Sequence, residues 1–208
     1  MYVPHKNISI DESLMQCRSR LHYIQFIRTK QARFGVKFYK LCDSKSKYIH
    51  NFNIYTGKDK SDTGSASKNV VMNLLEESEL LYKGYCLFID NWYSSPTLYR
   101  KLHDMKTNVC GTARINGKQM PRELKVHQLQ RGEAVVYSTR NMAVIKWKDK
   151  KDVLFYLNRH IGASSFNASL FASSCSPKFY HIFTSITKTT IRLLTIFTYS
   201  TSLSFRYL

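Results

Sequence analysis

The run Tyr85-Cys86-Leu87-Phe88-Ile89 is continuously apolar and stops abruptly at Asp90. A stretch this short and this unbroken is what a strand covered on both faces looks like, because alternation is lost when neither side meets water. Its flanks agree. Upstream, Asn69 to Leu81 places Val70, Leu74, Leu75 and Leu81 on one stripe with acids between them, which predicts a helix. Downstream, Ser95-Pro96 predicts another helix running through Met105, with Ser95 as N-cap and Pro96 in the first turn. A buried strand between two helices restricts the chain to layered α/β architectures.

The remaining elements narrow this further. Asn7 to Leu14, Phe34 to Cys42 and Tyr48 to Tyr55 are rich in β-branched and aromatic residues, and Asn108 to Ala113 supplies a fifth strand. Asp43-Ser44-Lys45-Ser46-Lys47 reads as a short hairpin connection, making the second and third strands antiparallel neighbours. The run GKDKSDTGSASK is an exposed loop by composition. Three strands, a helix, a strand, a helix and a strand is the order of a ribonuclease H-like core, a mixed sheet flanked by helices. Several α/β folds share parts of that order, so function has to be argued from side chains.

With 208 residues and 43% hydrophobic content, the chain suits one domain with appendages. Its formal net charge of +18 points to an acidic polymer as partner, either nucleic acid or an anionic membrane surface. Cys17, Cys42, Cys86, Cys110 and Cys175 are odd in number and never form C-x-x-C, so neither a disulfide framework nor a zinc site is expected. The thiols read as reduced, hence cytosolic or nuclear. No signal peptide is expected, and His181, Lys188 and Arg192 interrupt the late apolar stretches, so no membrane span is expected either. All fourteen acidic residues lie at or before Asp152. The part from Gly162 onward mixes Ser, Thr, Phe, Ile and Leu without a sustained period, which places a boundary near residue 160. We expect the tail, 161–208, not to pack as a unit; an ordinary terminal helix or strand pair is the alternative.

Two carboxylates stand where chemistry would need them. Asp11 follows the apolar run in NISIDESL, and Asp90 closes the strand in CLFIDNWYSSP. Neighbouring strands can bring such residues together, and cleavage of a phosphodiester by two divalent ions requires carboxylates shared between metals about 4 Å apart. Hard oxygen ligands suit Mg²⁺ or Mn²⁺. By spacing alone, each Asp reads equally as a strand-end cap or turn former. A second feature is basic: Arg18, Arg20, Arg28, Lys30, Arg33 and Lys37 are interleaved with His22, Tyr23 and Phe26 and can track a phosphate backbone. The alternative is a solvated strand face with a few core aromatics. Trp92 beside Asp90 suits stacking on a base or a place in the core. His5, His50, His103, His127 and His160 show neither metal spacing nor an adjacent nucleophile.

The strings IDESLMQCRSRL, RFGVKFYKLCDSKSKYIHNFNIYTGK, FIDNWYSSPTLYRKL, NVCGTARINGKQMPRELK and IKWKDKKDV together resemble the piggyBac transposase family, especially its domesticated, transposable element-derived members. The resemblance covers roughly residues 5 to 158, and DNWYSSP and CGTxRxNxxxMPxELK are its most specific parts. It implies a catalytic core over 1–160, with a partial β-rich insertion at about 114–158 built from Ala134 to Tyr137, Met142 to Trp147 and Val153 to Leu157. It implies that Asp11 and Asp90 are the first two ligands of Mg²⁺ or Mn²⁺, that DNA is the partner, and that no small molecule is a substrate. The family's third Asp, in a GGVDxxDQ-type motif, has no counterpart; Asp149 and Asp152 match an exposed WKDK turn. Neither the family's N-terminal DNA-binding part nor its Cys-rich zinc module is matched, and Cys17, Ser19 and Arg28 replace its usual Phe, Gly and Pro. The resemblance therefore implies a nuclear relic that binds DNA without cutting it. Two alternatives stand beside it: an active transposase subunit with a substitute ligand among Asp104, Asp149 and Asp152, and an interaction module for an intact transposase or for a second copy of itself.

Overall fold

A computed structural model describes residues 2–28, 33–57, 65–117, 119–139, 141–158 and 206–207. Lys30 and nearly all of the tail expected over 161–208 lie outside the described residues. Strands β1 (Asn7–Gln16), β2 (Gln25–Phe26), β3 (Phe34–Asp43) and β4 (Ile49–Ile54) are followed by helix α1 (Ala66–Glu77). Then come β5 (Cys86–Ile89), α2 (Pro96–Asp104), β6 (Asn108–Ala113) and the short helix α3 (Glu123–Val126). Strands β7 (Ala134–Ser138), β8 (Ala143–Lys148) and β9 (Asp152–Leu157) complete the body, and β10 (Arg206–Tyr207) pairs parallel with β7.

All ten described strands belong to one mixed sheet in the order β10-β7-β8-β9-β6-β5-β1-β3-β2, with β4 on β3. The antiparallel β3–β4 hairpin is as expected. β5 occupies the middle, parallel to both β1 and β6. Its double burial explains the unbroken apolar run: Leu87 and Ile89 join the main core with Val71, Leu74 and Leu75 of α1 and Leu98, Tyr99 and Leu102 of α2. Phe88 faces the other way, into a second cluster with Cys110, Ala143 and Leu157. Each fully buried Leu of this kind stabilises the fold by roughly 2 kcal/mol.

The strands expected at Ala134 to Tyr137, Met142 to Trp147 and Val153 to Leu157 are present as β7, β8 and β9, and they join the core sheet through β9, which pairs antiparallel with β6 from Cys110↔Leu157 to Ala113↔Leu154. Asn158 secures that junction: its side chain accepts from the Val109 N–H at 2.6 Å and donates to the Tyr99 and Thr107 carbonyls at 3.0 Å. The helix expected over Asn69 to Leu81 starts earlier and stops at Glu77. Glu79 takes a positive φ of 52° and breaks the helix, while Leu81, the last residue of the expected stripe, still packs partly buried against the core beyond the helix end. β2 and α3 were not expected at all. In α2 the Ser95 side chain accepts from the Leu98 N–H at 3.3 Å with Pro96 in the first turn, as the sequence predicts.

Gly111 lets β6 approach β5. A Cβ there would collide with the Ile89 carbonyl oxygen and the Tyr99 hydroxyl, so any other residue would push apart the strands that frame Asp90.

Candidate active site

The register of the central strands sets the site. Ile10 of β1 pairs with Ile89 of β5, and Ile89 with Gly111 of β6. The residues that follow are Asp11, Asp90 and Thr112, which a continued register would bring abreast at about 5 Å per strand step. The continuation is real on the β6 side, where the Thr112 hydroxyl donates to Asp90 Oδ1 at 2.8 Å. Asp11 lies opposite Lys40 of β3, and its Oδ1 accepts from the Glu12 N–H at 2.8 Å. Both carboxylates are exposed. Beside them Arg114 donates from Nε to Asn91 Oδ1 at 3.2 Å, tying the end of β6 to the turn after Asp90.

That turn is tight. The Asp90 carbonyl accepts from the Tyr93 N–H at 3.1 Å and from the Ser94 hydroxyl at 3.2 Å. Tyr93 is buried, and its hydroxyl has no hydrogen-bond partner among the described residues. Burial raises its pKa far above the usual phenol range, and the carboxylate charges of Glu12, Asp11 and Asp90 push it the same way. Glu12, Tyr93, Thr112 and Arg114 were not singled out from sequence, although Thr112 and Arg114 sit at alternate positions after Cys110, the parity that shares a strand face.

Two exposed carboxylates on adjacent strands fit a hard divalent cation, since Mg²⁺ is commonly held by one or two carboxylates with water and phosphate oxygens completing its shell. Among the described residues no group of three His, Cys, Asp or Glu side chains forms a metal site. The substitutes considered from sequence are placed elsewhere. Asp104 ends α2, which runs back from the Asp90 end of the sheet. Asp149 lies 3.5 Å from Arg131, and Asp152 pairs with Lys146 at 3.1 Å and Lys148 at 2.7 Å.

Arg18 and Arg20 lie exposed in the link from β1 to β2, and Arg28 and Arg33 lie exposed beyond β2 and before β3. Because β1 and β5 are parallel, this group lies past the C-terminal end of β1, on the side of the sheet where β5 also ends before Asp90. Lys37 is more enclosed than the arginines, and Trp92 takes the partly buried place that is one of its two expected readings. The Lys37 side chain is 18% exposed and lies 3.6 Å from Glu12 Oε2. Trp92 is half-buried and stacks on Tyr39, centroids 5.6 Å apart and planes 6° from parallel.

A family model described as Transposase IS4 matches residues 1–176. Among solved structures, the fold is similar to piggyBac transposase in a cryo-EM synaptic complex with hairpin DNA, with a TM-score of 0.74 at 22% identity over 99% of this chain. The chain spans 42% of the length of that relative.

Proposed function

The chain belongs to the Transposase IS4 family, and on that premise we propose that it is a DNA-binding transposase core that holds a divalent ion at Asp11 and Asp90 without cutting DNA. What supports this reading is the paired register of Ile10 and Ile89, the residues that immediately precede Asp11 and Asp90. Arg18, Arg20, Arg28 and Arg33 supply phosphate contacts at the same end of the sheet, and the similar solved transposase is a complex with DNA. Asp11 and Asp90 would hold Mg²⁺ or Mn²⁺, which when bound supplies Lewis-acid stabilisation of charge on a phosphate oxygen. Thr112 fixes the rotamer of Asp90, and Arg114 holds Asn91 while its remaining N–H groups stay available to a phosphate. What argues against cleavage is the ligand count: two metals crowded at one phosphate repel each other and need more negative charge than two carboxylates supply.

A supercoiled-plasmid nicking assay with Mg²⁺ or Mn²⁺ tests the reading, with Asp90→Asn as the control for contaminating nuclease. We expect duplex binding but no nicking by the 208-residue chain. Nicking that disappears in Asp90→Asn would establish an active subunit instead.

A further inference from the structure

Lys37 sits in a cluster of aromatic rings. Its ammonium lies 4.9 Å from the centroid of Tyr39, 5.3 Å from Trp92 and 5.9 Å from Tyr55. The same nitrogen is 3.6 Å from Glu12 Oε2. The rings brace one another: Trp92 lies flat on Tyr39, and Tyr93 meets Trp92 edge-on at 4.7 Å. One cation thus touches β1 through Glu12, the end of the β3–β4 hairpin through Tyr55, and the turn after β5 through Trp92.

The partners are telling because of where they stand in the chain. Glu12 is the residue after Asp11, and Trp92 is two residues after Asp90. The pleat sends Glu12 and Asp11 to opposite faces of β1, so Lys37 works from behind the sheet while the carboxylates face solvent. Tyr39, a neutral phenol facing the ammonium, is pushed up to about 12 by burial, with the Glu12 charge adding to it. A lysine this enclosed loses side-chain entropy, and attraction to three ring faces and a carboxylate offsets the loss.

We propose that Lys37 is a positioning residue, whose caged ammonium ties Glu12 to the Asn91–Tyr93 turn and thereby holds Asp11 and Asp90 at the spacing a divalent ion requires. This rests on the reading of those two carboxylates as a metal-binding pair. It differs in sign from a simple charge effect. Removing a cation near two carboxylates should tighten metal binding by electrostatics alone, whereas releasing a clamp should weaken it.

The test uses the full chain labelled with 5-fluorotryptophan, which gives one ¹⁹F resonance for each of the two tryptophans; Trp92→Phe assigns them. Without metal, Lys37→Met should shift or broaden the Trp92 resonance and leave Trp147 in place, and Lys37→Arg should restore it. An unchanged Trp92 resonance, or equal movement of both, overturns the clamp. Mn²⁺ titration followed by water-proton relaxation should then show about tenfold weaker binding in Lys37→Met, the size usual for losing a residue that orients a ligand, with recovery in Lys37→Arg. Equal or tighter binding also overturns it. If the unsubstituted chain takes up no Mn²⁺, the metal reading fails alone, and the metal-free resonances still decide for or against the clamp. Should Lys37→Met not fold, Glu12→Gln keeps the shape and must produce the same selective change at Trp92.

Discussion

Among single residues, Asp43 is the most committed acid in the chain. It is fully buried at the end of β3 and accepts from Tyr2, from His5 Nδ1 at 2.6 Å and from the Lys45 N–H at 2.8 Å. Burial by itself would raise its pKa, but these donors outweigh it and hold the carboxyl well below the usual range. A folded-state pKa below the unfolded value of about 3.9 adds stability that is complete above that pH and is lost as pH falls through the folded pKa. We therefore expect acid unfolding of the native chain to steepen below about pH 4, and Asp43→Asn to flatten the dependence while lowering stability at neutral pH. Denaturant melts between pH 2 and 7 check this; parallel curves for the two proteins would refute it. Nothing in the sequence marked this residue, which read only as the first position of a hairpin turn. Lys37 was misleading in the opposite direction: a lysine inside a basic run looks like surface, and the rings that enclose it come from Tyr39, Tyr55 and Trp92, far apart in the chain.

Elements whose formation depends on their own residues were legible, and those made by pairing were not. The β5 run, the Ser95-Pro96 start of α2 and the extent of β6 follow from local pattern and capping. β2 is two residues long and exists only because Gln25 and Phe26 meet Gly35 and Phe34. The four-residue α3 depends on a distant lysine. Lys146 of β8, 2% exposed, donates to the Leu124 carbonyl at 2.9 Å and the His127 carbonyl at 2.6 Å while pairing with Asp152. Those carbonyls are the unsatisfied end of α3, so the buried ammonium serves as its C-terminal cap. Lys146→Met keeps most of the volume but leaves the Leu124 and His127 carbonyls without their donor and Asp152 with Lys148 alone. It should destabilise the fold by about 3 kcal/mol and speed amide exchange across α3 before other elements. A loss within about 0.5 kcal/mol, the range of ordinary surface substitutions, would show that the cap contributes little.

For the molecule as a whole, charge and topology act at the same end of the sheet. If Arg18, Arg20, Arg28 and Arg33 each meet a phosphate, replacing Arg18 and Arg20 together with Gln should reduce the slope of log affinity against log salt by about two and weaken all duplex sequences alike. Fluorescence anisotropy at several salt concentrations measures it, and an unchanged slope places the DNA elsewhere. The sequence disclosed the basic stretch and the carboxylates but not their common location, because only the parallel β1–β5 pairing aligns them. That pairing joins strands whose carboxylates are 79 positions apart, whereas β3 and β4 are joined by a five-residue turn. Distant partners must close a long loop before any contact rewards the loss of freedom, so they meet late. In pulse-labelled hydrogen exchange during refolding, β3 and β4 amides should be protected before those of β5, and simultaneous protection would contradict this order. The carboxylate pair then has no existence in the early ensemble. It arises only when the crossover closes, so metal cannot guide the first steps of folding and can act only by trapping a sheet already assembled.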